Sequence, residues 1–223
     1  MRGYVTPDEI RQYLGLDENR WTDSVLQPLI EEAEAWIDRI SNTTWNTDLS
    51  EADTNRLPKK VREYHDITRY KGGLWLGIGV PVHLVCFPVV KIESLKIWNG
   101  KTYDEWIGKA EEGRGKDYWV DYQNGVIYLN RLYWWWVMGG KEIIVEYKYG
   151  RADLPAYVKE LARLLVCRHI LTMDRYRYAV TEGVSGLNPA NMLAQINARI
   201  EQLEGMIKAV HIPFTCVRVE ALE

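Results

Sequence analysis

Apolar residues recur at helical spacing over the first forty positions of the chain. Thr6 and Glu9 have the spacing of a capping box, and Pro7 stands at a first helical position, so a short helix is predicted here. After Asp23, apolar residues recur every three or four positions through Ile40, with acidic residues on the opposite side. The pattern predicts two N-terminal helices.

The period of the pattern changes to two in the middle of the chain. Between residues 80 and 150, apolar and polar positions alternate, as is typical of half-buried strands. The pairs Asn99-Gly100 and Asn124-Gly125 are hairpin-turn signals. This segment therefore predicts a small antiparallel sheet, whereas residues 57–72 are compatible with a short helix or an extended basic arm.

Helical spacing returns at residues 152–178 and again in the last quarter of the chain. The last helix carries apolar residues at spacings of three and four, a seam that packs against another helix of the same chain or of a neighbour; its members include Ile200, Leu203 and Ile207. Pro213 ends this helix and leaves a strand-like tail, FTCVRVEALE. An exposed terminal strand has a free edge, so the tail is expected to pair with another strand.

These elements define an α+β protein. We expect a helical bundle formed by the N- and C-terminal helices, with a small antiparallel β-sheet inserted between them. The predicted domains are 1–79 (N-terminal helices and linker), 80–150 (inserted sheet) and 151–223 (C-terminal helices and tail). The first and last of these are expected to share one α layer.

The segment RLYWWWVMGG (131–140) places three tryptophans in a row. On a strand, Trp134 and Trp136 would point to one face and Trp135 to the other. The chain contains 10 Trp and 14 Tyr against 2 Phe, and tryptophan and tyrosine are favoured at protein interfaces. The triplet is interpreted as an aromatic docking surface, with a strand buried on both faces as the alternative.

Charge and composition argue against several classes of protein. The net charge of −3 is unlike the basic excess of a dedicated nucleic-acid binder. No apolar stretch reaches the roughly 18 residues of a membrane span, and Met1 is followed by polar residues rather than a signal peptide. The three cysteines are widely spaced and imply no disulfide framework. We therefore expect a reduced, cytoplasmic setting and no membrane partner.

The sequence offers no catalytic constellation. His83 and Cys86 have HxxC spacing, but there is no second pair of ligands to complete a zinc site. Cys167 and His169 face different directions on a helix. The glycines form neither a P-loop nor a dinucleotide-binding motif. We expect no metal, no cofactor and no enzymatic activity.

Three short basic clusters, some of them with interleaved aromatic residues, support an alternative role as a small nucleic-acid-binding module. They are KKVRE, RYK and RYRY, at residues 59–63, 69–71 and 175–178. Each cluster is short and is diluted by acidic residues, so solvated helix faces are the favoured explanation.

Several segments, in this order, resemble the head-tail connector proteins of tailed bacteriophages and related proviruses, also called adaptor or head-completion proteins. The resemblance is close over residues 4–178 and looser over 179–223. It rests on these segments: YVTPDEIRQYLGLDE, LQPLIEEAEAWIDRISNTTW, FPVVKIESLKIWNG, DYWVDYQNGVIYL, EIIVEYKYGRADLPAYVKELARLLVCRHI, and a Gly/Ser loop with a closing helix.

The resemblance implies a structural virion protein at the neck that is assembled in the host cytoplasm. Such a protein forms a ring of about a dozen copies under the portal protein and binds tail-completion or tail proteins. DNA would pass through the lumen without sequence-specific binding. The residues expected to contact neighbouring copies or partners are Trp134, Trp135, Trp136, Ile200, Leu203, Ile207, Phe214, Val217 and Val219.

Overall fold

The computed structural model describes residues 2–50, 52–66, 80–130, 142–173, 189–208 and 216–222. Within these residues the chain forms four α-helices and two antiparallel sheets, so the predicted α+β class is confirmed. The chain divides into two compact units. One is helical and one is built mainly of strands.

The helical unit comprises Met1–Ser41 and Ala152–Ala209. A segment from the N-terminal part of the sequence and one from the C-terminal part together form this unit. Its helices are α1 (Pro7–Leu14), α2 (Asp23–Ser41), α3 (Ala156–Thr172) and α4 (Pro189–Ile207).

The predicted capping box is present at the start of α1. The Glu9 backbone N–H donates to the Thr6 hydroxyl over 3.3 Å, and the Thr6 N–H donates to the Glu9 carboxylate over 3.1 Å. Pro7 occupies the first turn, and Gly15 ends the helix in the left-handed conformation with φ of 64°. Local sequence alone determines both ends of this helix, because each cap satisfies backbone groups that the helix leaves unpaired.

Helix α3 contacts each of the other three helices, most extensively α4 and α2. Nine of its residues are buried, which explains why its apolar positions surround most of the helix. Helix α4 contacts α3 and α2, and its Ile196, Ile200 and Leu203 are buried. The apolar seam of α4 thus packs inside its own chain, one of the two arrangements that the spacing allowed.

The second unit comprises Asn42–Arg151 and Val210–Glu223. A five-stranded sheet has the order β4-β3-β7-β1-β8, and a three-stranded sheet has the order β2-β6-β5. The strands are β1 (Lys59–His65), β2 (Val80–His83), β3 (Val89–Trp98), β4 (Tyr103–Glu105), β5 (Tyr118–Asp121), β6 (Val126–Leu129), β7 (Ile143–Tyr149) and β8 (Cys216–Leu222).

The two sheets contribute to one hydrophobic core. Leu95 and Val145 from the larger sheet belong to the same buried cluster as Val82 and Ile127 from the smaller one. The predicted hairpin turns are confirmed, because the chain turns between β3 and β4 at Asn99-Gly100, and between β5 and β6 at Asn124-Gly125.

Residues 59–65, for which the sequence left a helix or an extended arm open, are strand β1. This strand pairs with β7 on one side and with β8 on the other. Two strands from outside residues 80–150, β1 and β8, therefore complete the larger sheet. Pairing between β1 and β8, more than 150 residues apart, leaves no signal in a local pattern and could not be predicted from it.

Candidate functional site

Strand β8 forms one edge of the five-stranded sheet. It runs antiparallel to β1, with Glu220 opposite Arg62 and Val219 opposite Glu63. The predicted strand-like tail is confirmed, and it pairs within its own chain. Among the described residues no strand pairs with the outer side of β8. That side presents a row of backbone donors and acceptors, which is a common basis for pairing between protein chains.

On one face of the sheet, the Glu220 side chain links β8 to β1. Its carboxylate lies 2.6 Å from Arg218 and 3.7 Å from Arg62, and it accepts a hydrogen bond of 3.1 Å from the Tyr64 hydroxyl. Two of these three partners belong to β1. Side-chain contacts therefore add to the backbone ladder that holds β8 against the sheet.

The same face carries further ion pairs across the sheet. Arg62 donates to Glu146 over 2.7 Å, which raises the pKa of the guanidinium. Lys60 lies 2.6 Å from Glu93, and its hydrogen bond lowers the pKa of that carboxyl. Lys60 and Arg62 are basic residues of the 59–63 cluster, and their charges are compensated by carboxylates. This cluster therefore does not favour nucleic-acid binding; the clusters at 69–71 and 175–178 lie outside the described residues.

On the opposite face of the sheet, β8 lies beyond the edge of the hydrophobic core. Val219 is 45% exposed, although Glu63, directly opposite on β1, is completely buried. Residues opposite each other in a ladder point to the same side of the sheet. Val219 and Glu63 therefore lie on the same face of the sheet, but this face is buried at β1 and exposed at β8. An apolar surface beside an unpaired strand edge suits contact with another protein.

Behind this edge lies a buried polar cluster centred on Glu63. Its two carboxylate oxygens each lie 3.0 Å from the Val85 backbone nitrogen, and it also accepts a hydrogen bond from the Tyr147 hydroxyl. The Cys86 N–H donates to the Tyr147 hydroxyl over 3.0 Å. His65 Nε2 lies 3.1 Å from the Glu63 carboxylate, at ion-pair distance but without the alignment of a hydrogen bond.

This cluster fixes the segment after β2 to strands β1 and β7. Burial, followed by the nearby Glu63 charge, raises the pKa of Tyr147 well above its usual value of 10.0, so the hydroxyl stays protonated and donates. Glu63 was not among the functional residues predicted from the sequence. The signal was its position between Val61 and His65 at period two, which places it on the inward face of a strand.

The thiols of Cys86 and Cys167 are buried and unreactive. Burial raises the pKa of each to about 12, so both are protonated near neutral pH and are poor nucleophiles. The part of the chain that the structure describes has no group of three or more His, Cys, Asp and Glu side chains placed to hold a metal. None of its helices is long and apolar enough to cross a membrane.

The residues predicted to form contacts fall into three groups. Ile200, Leu203 and Ile207 are between 1% and 8% exposed, so almost none of their surface is left for a second subunit. Val219 is exposed on β8. The tryptophans of 134–136, Phe214 and the side chain of Val217 lie outside the described part of the molecule, and their contact roles stay predictions.

No protein-family model matches the sequence, and no curated protein matches it. Among solved structures, the fold is similar to that of a chain in the neck of an empty GTA particle computed with C6 symmetry. The similarity covers 95% of this chain and 92% of that chain, with a TM-score of 0.51 and 14% sequence identity. At this identity the comparison establishes a similar fold, present along nearly the whole length of both chains.

Proposed function

We propose that this chain is a structural protein of the neck of a phage-like particle, a head-tail connector that assembles into a ring. The observation that carries the proposal is the similarity of fold, over 95% of the chain, to a chain from the neck of a GTA particle. The resemblance of the sequence to head-tail connectors supports the same role. In this role the protein acts by binding other proteins and has no enzymatic activity.

The proposed partners are further copies of the chain, the portal protein on one side, and tail-completion or tail proteins on the other. A ring of about twelve copies contains a six-fold axis, so the C6 symmetry used for the neck of the GTA particle is compatible with that number. DNA would pass through the lumen without base-specific contacts. The finished protein would reside in the virion neck after assembly in the host cytoplasm.

The open edge of β8 is the described surface that best suits contact between copies or with the portal. It combines unpaired backbone groups with the exposed side chain of Val219. A partner strand would satisfy the backbone groups, and an apolar partner side chain would cover Val219.

Native mass spectrometry of the purified chain, alone and mixed with the portal protein from the same genome, tests this function. We expect a closed ring, or a ring that forms only on the portal. A chain that stays monomeric and does not bind the portal would overturn the connector role.

A substitution at the edge identifies the surface involved. We expect Val219→Glu to weaken ring formation or portal binding, because it places a charge in an apolar contact. Leu49→Glu is the matched control, since Leu49 is also 45% exposed but lies outside the edge strand. Equal effects of the two substitutions would exclude β8 as the contact surface while leaving the connector role itself open to the first experiment.

A further inference from the structure

The helical unit has an open groove between α2 and α3. Its volume is about 740 Å³, within the range of built ligand sites. Along α2 it extends from Leu29 to Arg39, and a helix of that length spans roughly 15 Å. Ala33 and Leu165 line the groove, and most of the surface of each residue is buried. The groove thus has an apolar floor and is long enough to hold two to three turns of a helix.

Trp36 forms a fixed wall of this groove. The side chain is 38% exposed, which is unusual for a tryptophan on the apolar side of a helix. Its indole N–H donates to Glu204 on α4 over 3.1 Å, and the Arg39 guanidinium lies 4.5 Å from its ring centroid. Contacts on two sides hold the ring in one orientation. A large aromatic surface that is already immobilised loses little entropy when a partner binds.

The charges of the groove are unbalanced. Neither Arg39 nor Arg168 has a carboxylate partner among the described residues, whereas Arg62 and Arg199 are both paired with glutamates. Among the described residues, the carboxylate that lines the groove is that of Glu32, which lies 4.0 Å from His169. Two permanent cations therefore stand beside an apolar floor without an ion-pair partner among the described residues.

The walls determine the backbone conformation of an occupant. Both are helices, whose backbone groups are paired within each helix, so they offer no sheet edge to an extended peptide. An extended segment would leave its own backbone groups unpaired in the groove. A helix satisfies its own backbone and needs only side-chain complementarity.

We propose that the α2–α3 groove binds an amphipathic, acidic helix of another protein. One large apolar side chain of that helix packs on Trp36 and the floor, and Asp or Glu residues beside it pair with Arg39 and Arg168. The planar guanidinium groups suit carboxylates, which they can bind through two hydrogen bonds. This binding activity goes beyond the connector role and does not depend on it.

The test uses a display library of helical peptides of about 15 residues with randomised surface positions. The library is selected on the full chain alone, and the binding of each selected peptide is then measured on the wild type and on the double variant Arg39→Glu/Arg168→Glu. We expect the selected peptides to combine a large apolar residue with acidic neighbours, and to bind the double variant about tenfold or more weakly than the wild type. Changing the peptide acids to lysine is expected to restore binding to the double variant. Circular dichroism establishes that the variant remains folded.

Arg114→Glu is the matched control, because Arg114 lies 4.8 Å from the Trp119 ring in the strand unit, much as Arg39 lies over Trp36. We expect it to leave peptide binding unchanged. Selected peptides without acidic residues, or peptides that bind the double variant as tightly as the wild type, would overturn the proposal. Self-association of the wild type that the double variant abolishes would also overturn it, because the occupant would then be a second copy of the chain.

Discussion

The Tyr147 hydroxyl donates a hydrogen bond to the Glu63 carboxylate, and both side chains are completely buried. A buried carboxylate is costly unless each of its oxygens has a partner. Here the Val85 N–H and the Tyr147 hydroxyl provide partners, and His65 lies at ion-pair distance. The polar cluster therefore ties two strands and the segment after β2 to one another.

Tyr147→Phe is expected to lower the free energy of unfolding by about 1–3 kcal/mol, because it leaves part of a buried carboxylate without a donor. Tyr128→Phe is the control. The Tyr128 ring stacks on Trp119 with centroids 4.9 Å apart and is not fully buried. Removing its hydroxyl should therefore change the free energy of unfolding by no more than about 0.5 kcal/mol. Urea unfolding measures both. Equal losses would show that the Tyr147 hydroxyl contributes nothing particular.

Gly150→Ala is expected to lower the free energy of unfolding by about 1–3 kcal/mol. Gly150 has φ of 146°, which other residues rarely adopt, and an added Cβ would lie 3.0 Å from Thr44 Cγ2 and 3.1 Å from Thr47. Gly205→Ala is the matched control, because Gly205 lies in α4 with open space around its Cα. We expect it to stabilise the protein by roughly 0.5–1 kcal/mol. Thermal unfolding of the two variants gives shifts of opposite sign; a shift of the same sign would contradict this account.

The pairing of Lys60 with Glu93 predicts a dependence of stability on pH. The hydrogen bond from Lys60 lowers the pKa of Glu93 below its usual value of 4.5. The unfolded chain therefore takes up the proton first as pH falls, so the contribution is complete above about pH 4.5 and is lost as pH falls through the folded value. The difference in unfolding free energy between wild type and Glu93→Gln should shrink over that range.

Glu18→Gln is the control for this measurement, because Glu18 is exposed and forms no ion pair among the described residues. At pH 7 its effect on the free energy of unfolding should be within about 0.5 kcal/mol. A difference for Glu93→Gln that stays constant as pH falls would show that the ion pair with Lys60 does not stabilise the fold.

Burial of the thiols predicts slow alkylation in the native state. With a pKa of about 12 instead of 9.0, the thiolate fraction of Cys86 and Cys167 near pH 8 falls about a thousandfold. Iodoacetamide labelling followed by peptide mass spectrometry should find these two cysteines unmodified in folded protein and modified in urea. Fast native labelling of either one would contradict their burial.

The tryptophan triplet remains a prediction from sequence alone. Replacing Trp134, Trp135 and Trp136 with serine is expected to keep the helical circular dichroism signal and to weaken ring or portal assembly, because an aromatic docking surface would be lost. Collapse of the fold would instead show that the three rings are core residues.

Local physics determined much of this protein from its sequence. The capping box of Thr6 and Glu9, the alternation of β7 and the Asn-Gly turns each depend on neighbours within a few residues, so the pattern was sufficient to predict them. The α+β class followed from the order of these elements. The resemblance to connectors also rested on local patterns.

Only the tertiary structure decided which distant segments meet. Strand β1 lies between β7 and β8, and Glu63 acquires its partners from segments 22 and 84 residues away. The groove beside Trp36 likewise exists because α2 and α3 pack together although more than a hundred residues separate them in sequence. A local pattern indicates which face of an element is apolar, but the free energy of burial depends on which faces are brought into contact.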